Sequence, residues 1–311
     1  MGAQLRVYRR RIRTVQSTKK ITKAMELIAA SRIAKARARM DAAKPYAQEL
    51  TRALAALGKN ASLKHPMLTG VDEPRRAGVL VVTSDRGLAG GYNANALRLA
   101  SELAGRLEGE GKQVVRYVIG RKGTAYFRFR RIELAGSWTG FSEQPNFLDA
   151  REATDAVVAA LVATSEGEAN GEPGIDELHV VYTHFKNSVT QAPVAVLVSP
   201  VKNIADESGN ADDSTESGPQ AEYEFEPEAE ELIGQLVPRY ISARIYSALL
   251  ESAVSESAAR RRAMKSASDN ATDLITTYTR LANQARQAEI TQEISEIVGG
   301  ADALASAGGD E

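Results

Sequence analysis

A chain of 311 residues, 43% hydrophobic and 25% charged, is long enough to bury a core, and its length points to more than one structural unit. It has no cysteine, which excludes disulfides, thiolate metal sites and thiol nucleophiles. No run approaches about 18 consecutive apolar residues, which argues against a transmembrane helix, and the formal net charge of −1 hides two segments of opposite sign.

Residues 3–44 contain neither glycine nor proline, and residues 1–40 carry 12 Lys or Arg against the single acid Glu26, a balance of +11. Such a basic start could belong to a targeting peptide, but no apolar stretch follows and a helical pattern begins by Leu5. The segment therefore reads as a mature cytoplasmic start. Leu5, Tyr8, Ile12, Val15, Thr18, Ile21, Met25 and Ile28 fall three and four apart, on one helical face. The extra run of threes in that spacing predicts a locally overwound pairing rather than a regular heptad zipper. Pro45 predicts a kink or a helix boundary.

The middle of the chain alternates strand and helix patterns. Strands are expected at 78–83, 113–119, 178–185 and 194–198, and helices at 95–107 and 150–163, with a short helix or turn at 121–129. This order implies a largely parallel sheet with right-handed crossovers, a Rossmann-like layout. The loop after the first strand, 83–93, is where such a domain would hold phosphate. Its glycines at 87, 90 and 91 match neither the dinucleotide nor the phosphate-loop spacing, and Gly120 and Arg121 stand where an acid would hold a ribose. A tight turn into a helix is the preferred reading. Asp85 and Arg86 have no nucleophile or base beside them. His65 lies in a proline-flanked loop, and His179 and His184 fall on opposite faces of one strand, so no metal site is expected. Residues 164–176, rich in Gly, Glu and Ser, read as a surface loop.

Residues 203–231 hold 11 Asp or Glu and no Lys or Arg, a balance of −11, with the composition of a solvated, flexible loop at 201–226; a partner surface is the other reading. Pro227 and the glutamates that follow suit a helix N-terminus, Pro238 predicts a kink or restart, and residues 239–298 then run without glycine or proline. Ala263, Ala267, Asn270, Leu274, Tyr278, Leu281, Ala285 and Ala288 repeat the helical spacing, and Gly299 and Gly300 predict the stop. As helices, the two terminal stretches would be rods of roughly 60 Å and 90 Å. Rods of that length need a partner along their length. The fold class expected is therefore α/β plus a long antiparallel coiled coil: a shaft helix at 1–57 pairs with one at 227–298 around a Rossmann-like domain at 75–200. Aromatics are only 5% of the chain, and the alanine-rich rods should be slim.

Three motifs carry a resemblance. The opening Leu5-Arg-Val-Tyr-Arg-Arg-Arg-Ile-Arg-Thr-Val15 with Thr18-Lys-Lys-Ile-Thr-Lys-Ala-Met-Glu-Leu-Ile-Ala-Ala-Ser31 resembles the N-terminal signature of the gamma subunits of F-type, proton-driven rotary ATP synthases. Ser84-Asp-Arg-Gly-Leu-Ala-Gly-Gly-Tyr-Asn93 is similar to a central motif of that family, and Glu256-Ser-Ala-Ala-Arg260, Ala263-Met-Lys-Ser-Ala267, Asp269-Asn270 and Ala285-Arg-Gln-Ala-Glu-Ile-Thr-Gln-Glu-Ile294 resemble its C-terminal signature. The resemblance implies a non-catalytic central rotor stalk, without cofactor or metal. Its partners would be the alpha and beta subunits, the epsilon subunit and the membrane ring of c subunits, on the cytoplasmic face of a bacterial cell membrane and without direct membrane insertion. It implies that Met25 faces the acidic lever loop of a beta subunit and that Arg260, Arg286, Gln287, Thr291 and Glu293 engage beta loops. For Met25, on the apolar stripe, a plain core contact is the alternative. Ala89 stands where many relatives have Cys, which excludes thiol control, and the 164–176 loop looks longer than in many members.

Two other classes remain in view. A basic helix could track phosphates as a nucleic-acid-binding element, although only Tyr8 interleaves as an aromatic. A dinucleotide-dependent enzyme could be built on the middle domain, against its glycine spacing.

Overall fold

The computed structural model describes residues 2–60, 66–169, 171–201 and 229–307. In chain order the elements are α1 (Gly2–Asn60), α2 (Pro66–Thr69), β1 (Arg76–Val82), α3 (Tyr92–Gly109), β2 (Gln113–Ile119), α4 (Arg121–Phe129), β3 (Gly136–Trp138), α5 (Phe147–Ala163), β4 (Glu168–Ala169), β5 (Glu172–Pro173), β6 (Glu177–Phe185), β7 (Gln191–Ser199) and α6 (Ala229–Ala307). The acidic segment between β7 and α6, Pro227 and His65 lie outside the described residues. The chain divides into two units, Met1–Ile28 with Arg261–Glu311, and Ala29–Arg260.

The larger unit is built on a five-stranded sheet in the order β3-β2-β1-β6-β7. β1 runs parallel to β2 and β6, β2 parallel to β3, and only β7 is antiparallel. The alternation of β1 sorts its side chains between two layers. Ala77, Val79 and Val81 pack with Leu97, Leu103 and Leu107 of α3 and Phe127 of α4. Leu80 and Val82 join Val157 and Leu161 of α5, Leu50, Leu54 and Leu57 of α1, and Ile233, Val237, Ile241, Ile245 and Leu249 of α6. Both terminal helices are thus part of this core. That burial offsets the roughly 3 kcal/mol a proline costs inside a helix, and α1 and α6 run on through Pro45 and Pro238, so neither proline marks a helix boundary or restart.

The 164–176 connection is more than a loop. It carries the short antiparallel pair β4 and β5, pinned by Asp176, whose carboxylate accepts the backbone N–H groups of Ser165 (2.8 Å), Arg75 (2.7 Å) and Arg76 (3.0 Å). Burial would raise the Asp176 pKa, but these donors outweigh it and hold the carboxyl below its ordinary range. Gly299 and Gly300 do not end α6, which continues to Ala307. Glycine costs a helix about 1 kcal/mol per residue without forbidding it, and the alanines and leucine that follow favour continuation.

The smaller unit is an antiparallel helix pair. Tyr8 meets Tyr278 at 6.4 Å between ring centroids, and Thr22 meets Ser268 at 2.7 Å between hydroxyl oxygens, so residue numbers rise on one helix as they fall on the other. The less exposed positions of α1 in this unit include Leu5, Tyr8, Ile12, Val15, Lys19, Thr22 and Glu26, which alternate steps of three and four, with Met25 half-buried beside Glu26. On α6 they include Met264, Ser268, Ala271, Ile275, Tyr278, Ala282 and Ala285, with the same alternation. This regular heptad corrects the overwound seam expected from the apolar residues. Successive steps of three walk around a helix, so Thr18, Ile21 and Ile28 leave the interface, with Ile21 60% and Ile28 53% exposed. On α6, Asn270, Leu274 and Ala288 are likewise exposed. Polar residues fill the vacated seam positions because they find partners: Thr22 on Ser268, and Glu26 on Lys23 at 3.1 Å.

Candidate functional site

The glycine loop after β1 closes on itself. Asp85 accepts the backbone N–H of Arg121 (3.1 Å), Gly140 (2.8 Å) and Ser142 (3.0 Å), which places a carboxylate at the N-terminus of α4. Asn93 Oδ1 accepts the backbone N–H of Ser84 at 2.9 Å. Gly120 has φ +104°, and a Cβ there would collide with the Thr83 carbonyl oxygen. The strand ends are therefore packed against each other by protein groups, with an acid at the place where an anion would need positive charge.

Beside this loop lies a buried ion-pair cluster. Glu256 and Arg260, one turn apart on α6, pair at 2.7 Å. The Arg260 side chain is only 6% exposed, and its Nη2 also donates to the carbonyl oxygens of Arg86 (3.1 Å) and Gly87 (3.3 Å). Arg260 Nη1 lies 3.1 Å from Glu143, a residue in the segment between β3 and α5. Glu143 also takes Arg32 of α1, and Arg86 at 3.7 Å. Burial pushes the Glu256 pKa up to about 7, against the pull of the Arg260 charge. Tyr92, buried beside Ala89 and Ala259, has its hydroxyl pKa raised, by burial first and by Glu256 second.

No group of three or more histidine or acidic side chains converges on a common point among the described residues. His179 and His184 take separate carboxylates, Glu177 at 3.1 Å and Glu251 at 2.6 Å.

Residues 4–304 match the family model for ATP synthase. The chain is 58% identical to the ATP synthase gamma chain of Frankia casuarinae over 306 residues, covering 98% of this chain and 99% of the relative. It is 54% identical to that of Salinispora arenicola over 321 residues, covering both chains completely. The chain belongs to the ATP synthase gamma chain family.

The solved structures agree on fold. A chain of the Euglena gracilis mitochondrial ATP synthase, covering 100% of this chain and 98% of its own length, superposes with a TM-score of 0.70 at 16% identity. One from the Tetrahymena thermophila mitochondrial ATP synthase central stalk and c ring, covering 80% of this chain and 99% of its own, has a TM-score of 0.56 at 24% identity. Nothing in these matches supports the nucleic-acid-binding alternative. This gamma chain is a subunit of ATP synthase.

The structure distributes the expected partner-facing residues of the gamma chain unevenly. Arg286, Gln287, Thr291 and Glu293 are all exposed on α6, and the Thr291 hydroxyl turns inward to donate to the Gln287 carbonyl oxygen at 2.9 Å. Met25 is half-buried, between the seam positions Thr22 and Glu26. Arg260 is placed differently from the rest: it is buried, and its guanidinium is spent on Glu256, Glu143 and two loop carbonyls. Of its partners, Glu256 could have been read from its spacing of four residues. Glu143 and Arg32 give no such signal, because what brings them together is tertiary.

Proposed function

We propose that this gamma chain is the non-catalytic rotor shaft of its ATP synthase. It carries torque between a proton-driven ring of c subunits and a hexamer of catalytic beta and alpha subunits, and so couples proton flow to ATP synthesis or hydrolysis. The observation that carries this reading is the helix pair of 2–28 with 261–307. Its seam is narrow and rich in small and polar residues, and its outward face offers charged and apolar side chains to partners along its length. In this reading the shaft is contributed by residues 1–57 and 227–298, and the α/β module at 75–200 serves as its base, beside the epsilon subunit and the c ring. Met25, Arg286, Gln287, Thr291 and Glu293 meet beta-subunit loops, whereas Arg260 supports the shaft from within. The complex lies at the cytoplasmic face of the bacterial cell membrane, with the gamma chain peripheral. This suits a chain in which no described helix is long and apolar enough to cross a membrane.

Reconstitution with alpha and beta subunits tests this. The mixed complex is expected to hydrolyse ATP, and a probe fixed to the gamma chain is expected to rotate. Hydrolysis by the chain alone, or a hydrolysing complex in which the gamma chain stays still, would overturn the reading.

A further inference from the structure

We propose that Glu143 is the torque-bearing clamp of the α/β module: one carboxylate that ties both terminal helices to the sheet domain and stiffens the module against twisting relative to them. The proposal rests on the rotor reading above.

Three separate pieces of chain meet at this side chain. Arg32 comes from α1, Arg260 from α6 and Arg86 from the loop after β1, while Glu143 itself belongs to the segment between β3 and α5. The Glu143 side chain is only 13% exposed, so water screens the Arg32 and Arg260 contacts weakly. Arg260 is anchored a second time, on the carbonyls of Arg86 and Gly87, which makes it a strut between α6 and the glycine loop. Elsewhere α6 has polar ties to β6, His184 on Glu251 at 2.6 Å and the Thr183 N–H on the Ser252 hydroxyl at 3.2 Å, but most of the contact between the terminal helices and the module is apolar. Those apolar contacts resist separation but are non-directional, so they oppose sliding weakly. Paired charges that cannot be replaced by water oppose displacement in every direction. The clamp sits within a few residues of 28 and 260, where the two helices leave this unit. Torque passing between module and shaft must cross that level.

The test uses the assembled complex of gamma, alpha and beta subunits, with a bead attached to the α/β module and the hexamer fixed to a surface. The angular spread of the bead is recorded while the complex is stalled by ATP limitation. Glu143→Gln, which keeps the shape and removes the charge, is expected to widen the angular variance at least twofold, with ATP hydrolysis within twofold of the parent. Glu143→Asp is expected to restore most of the stiffness, a rescue that a merely volume-filling side chain would not show. Arg32→Gln, which leaves the Arg260 contact in place, is expected to widen the variance by a smaller factor, and it serves as the variant of record if Glu143→Gln does not assemble. A variance unchanged in Glu143→Gln, or in Arg32→Gln where that variant stands in, overturns the clamp. Absence of rotation in the parent complex would instead defeat the rotor reading itself.

Discussion

The two units use opposite economies of burial. The largest fully buried side chains, from Leu54 and Leu80 to Ile241 and Leu250, all belong to residues 29–260, where sheet and helices enclose a thick core. In the helix pair of 2–28 and 261–307, the seam holds Lys19, Thr22, Glu26, Ser268 and several alanines, while Ile21, Leu27, Leu274, Ile290 and Ile294 face outward. Burying an alanine yields a fraction of what burying a leucine does. The module is thus built for its own stability, and the pair keeps apolar surface available to partners. A polar hydroxyl seam also fixes helix register at little adhesive cost.

The largest break in this contrast should come from Arg260→Ala. It strands Glu256 and Glu143 in a site nearly closed to water, and removing one partner of a buried ion pair typically costs about 3–5 kcal/mol. Urea unfolding followed by the fluorescence of Trp138, the only tryptophan, would report it, since that residue lies in the module. A loss below about 1 kcal/mol would mean the cluster is solvated in solution, and the module's core alone would then account for its stability.

Next in size is a pH effect with a defined sign. The Glu256 pKa rises from 4.5 to about 7 on folding, so the folded state holds this proton more tightly than the unfolded one. Its contribution is therefore most favourable below pH 4.5 and is lost as pH rises through about 7, by roughly 3 kcal/mol in all. Glu256→Gln, which fixes the neutral form, should flatten that slope and raise the stability at pH 8 above the parent's. A parallel pH dependence in parent and variant would assign the slope to other groups.

Asp176 should move in the opposite direction. Its folded pKa is lowered, so the stability it contributes is present above the ordinary carboxylate range and is lost as pH falls through the folded value. Asp176→Asn exchanges one accepting oxygen for a donor and leaves a backbone N–H of Ser165, Arg75 or Arg76 without its partner. We expect a loss of about 1–3 kcal/mol at pH 7 that shrinks on acidification. Amide hydrogen exchange at Ser165 should quicken in the same variant.

How far the sequence foretold the structure depends on whether the signal was local. β2 and α4 fall where the pattern put a strand and a short helix or turn, because those residues carry their signal without help from elsewhere. β3 is three residues long and exists by pairing with β2, so no periodicity announced it. The helix seam was misread from Thr18 onward for the same reason: apolar residues mark an interface only if they keep the seven-residue rhythm, and here polar residues kept it. The clamp was invisible in the sequence, since Glu143 stands in a loop and its arginines lie 111 residues before it and 117 after.

The smallest expected effect on stability is the sharpest test of the contrast. Ile21 and Gln287 lie on the helix pair with their side chains outward, so Ile21→Ser and Gln287→Ala should each change the stability of the isolated chain by less than about 0.5 kcal/mol. If that surface is kept free for alpha and beta subunits, the same variants should lower ATP hydrolysis by the reconstituted complex several-fold while leaving the amount of complex assembled unchanged. Thr22→Val should do the reverse. It removes one hydroxyl of the buried Thr22 and Ser268 pair and leaves the other without its partner, at a cost of about 1 kcal/mol or more, and it touches no outward-facing group. A stability loss for Ile21→Ser as large as that for Thr22→Val would show that Ile21 packs inside the pair. An unchanged hydrolysis rate for both outward variants would mean that the apolar and amide groups left outside the seam have no partner to meet.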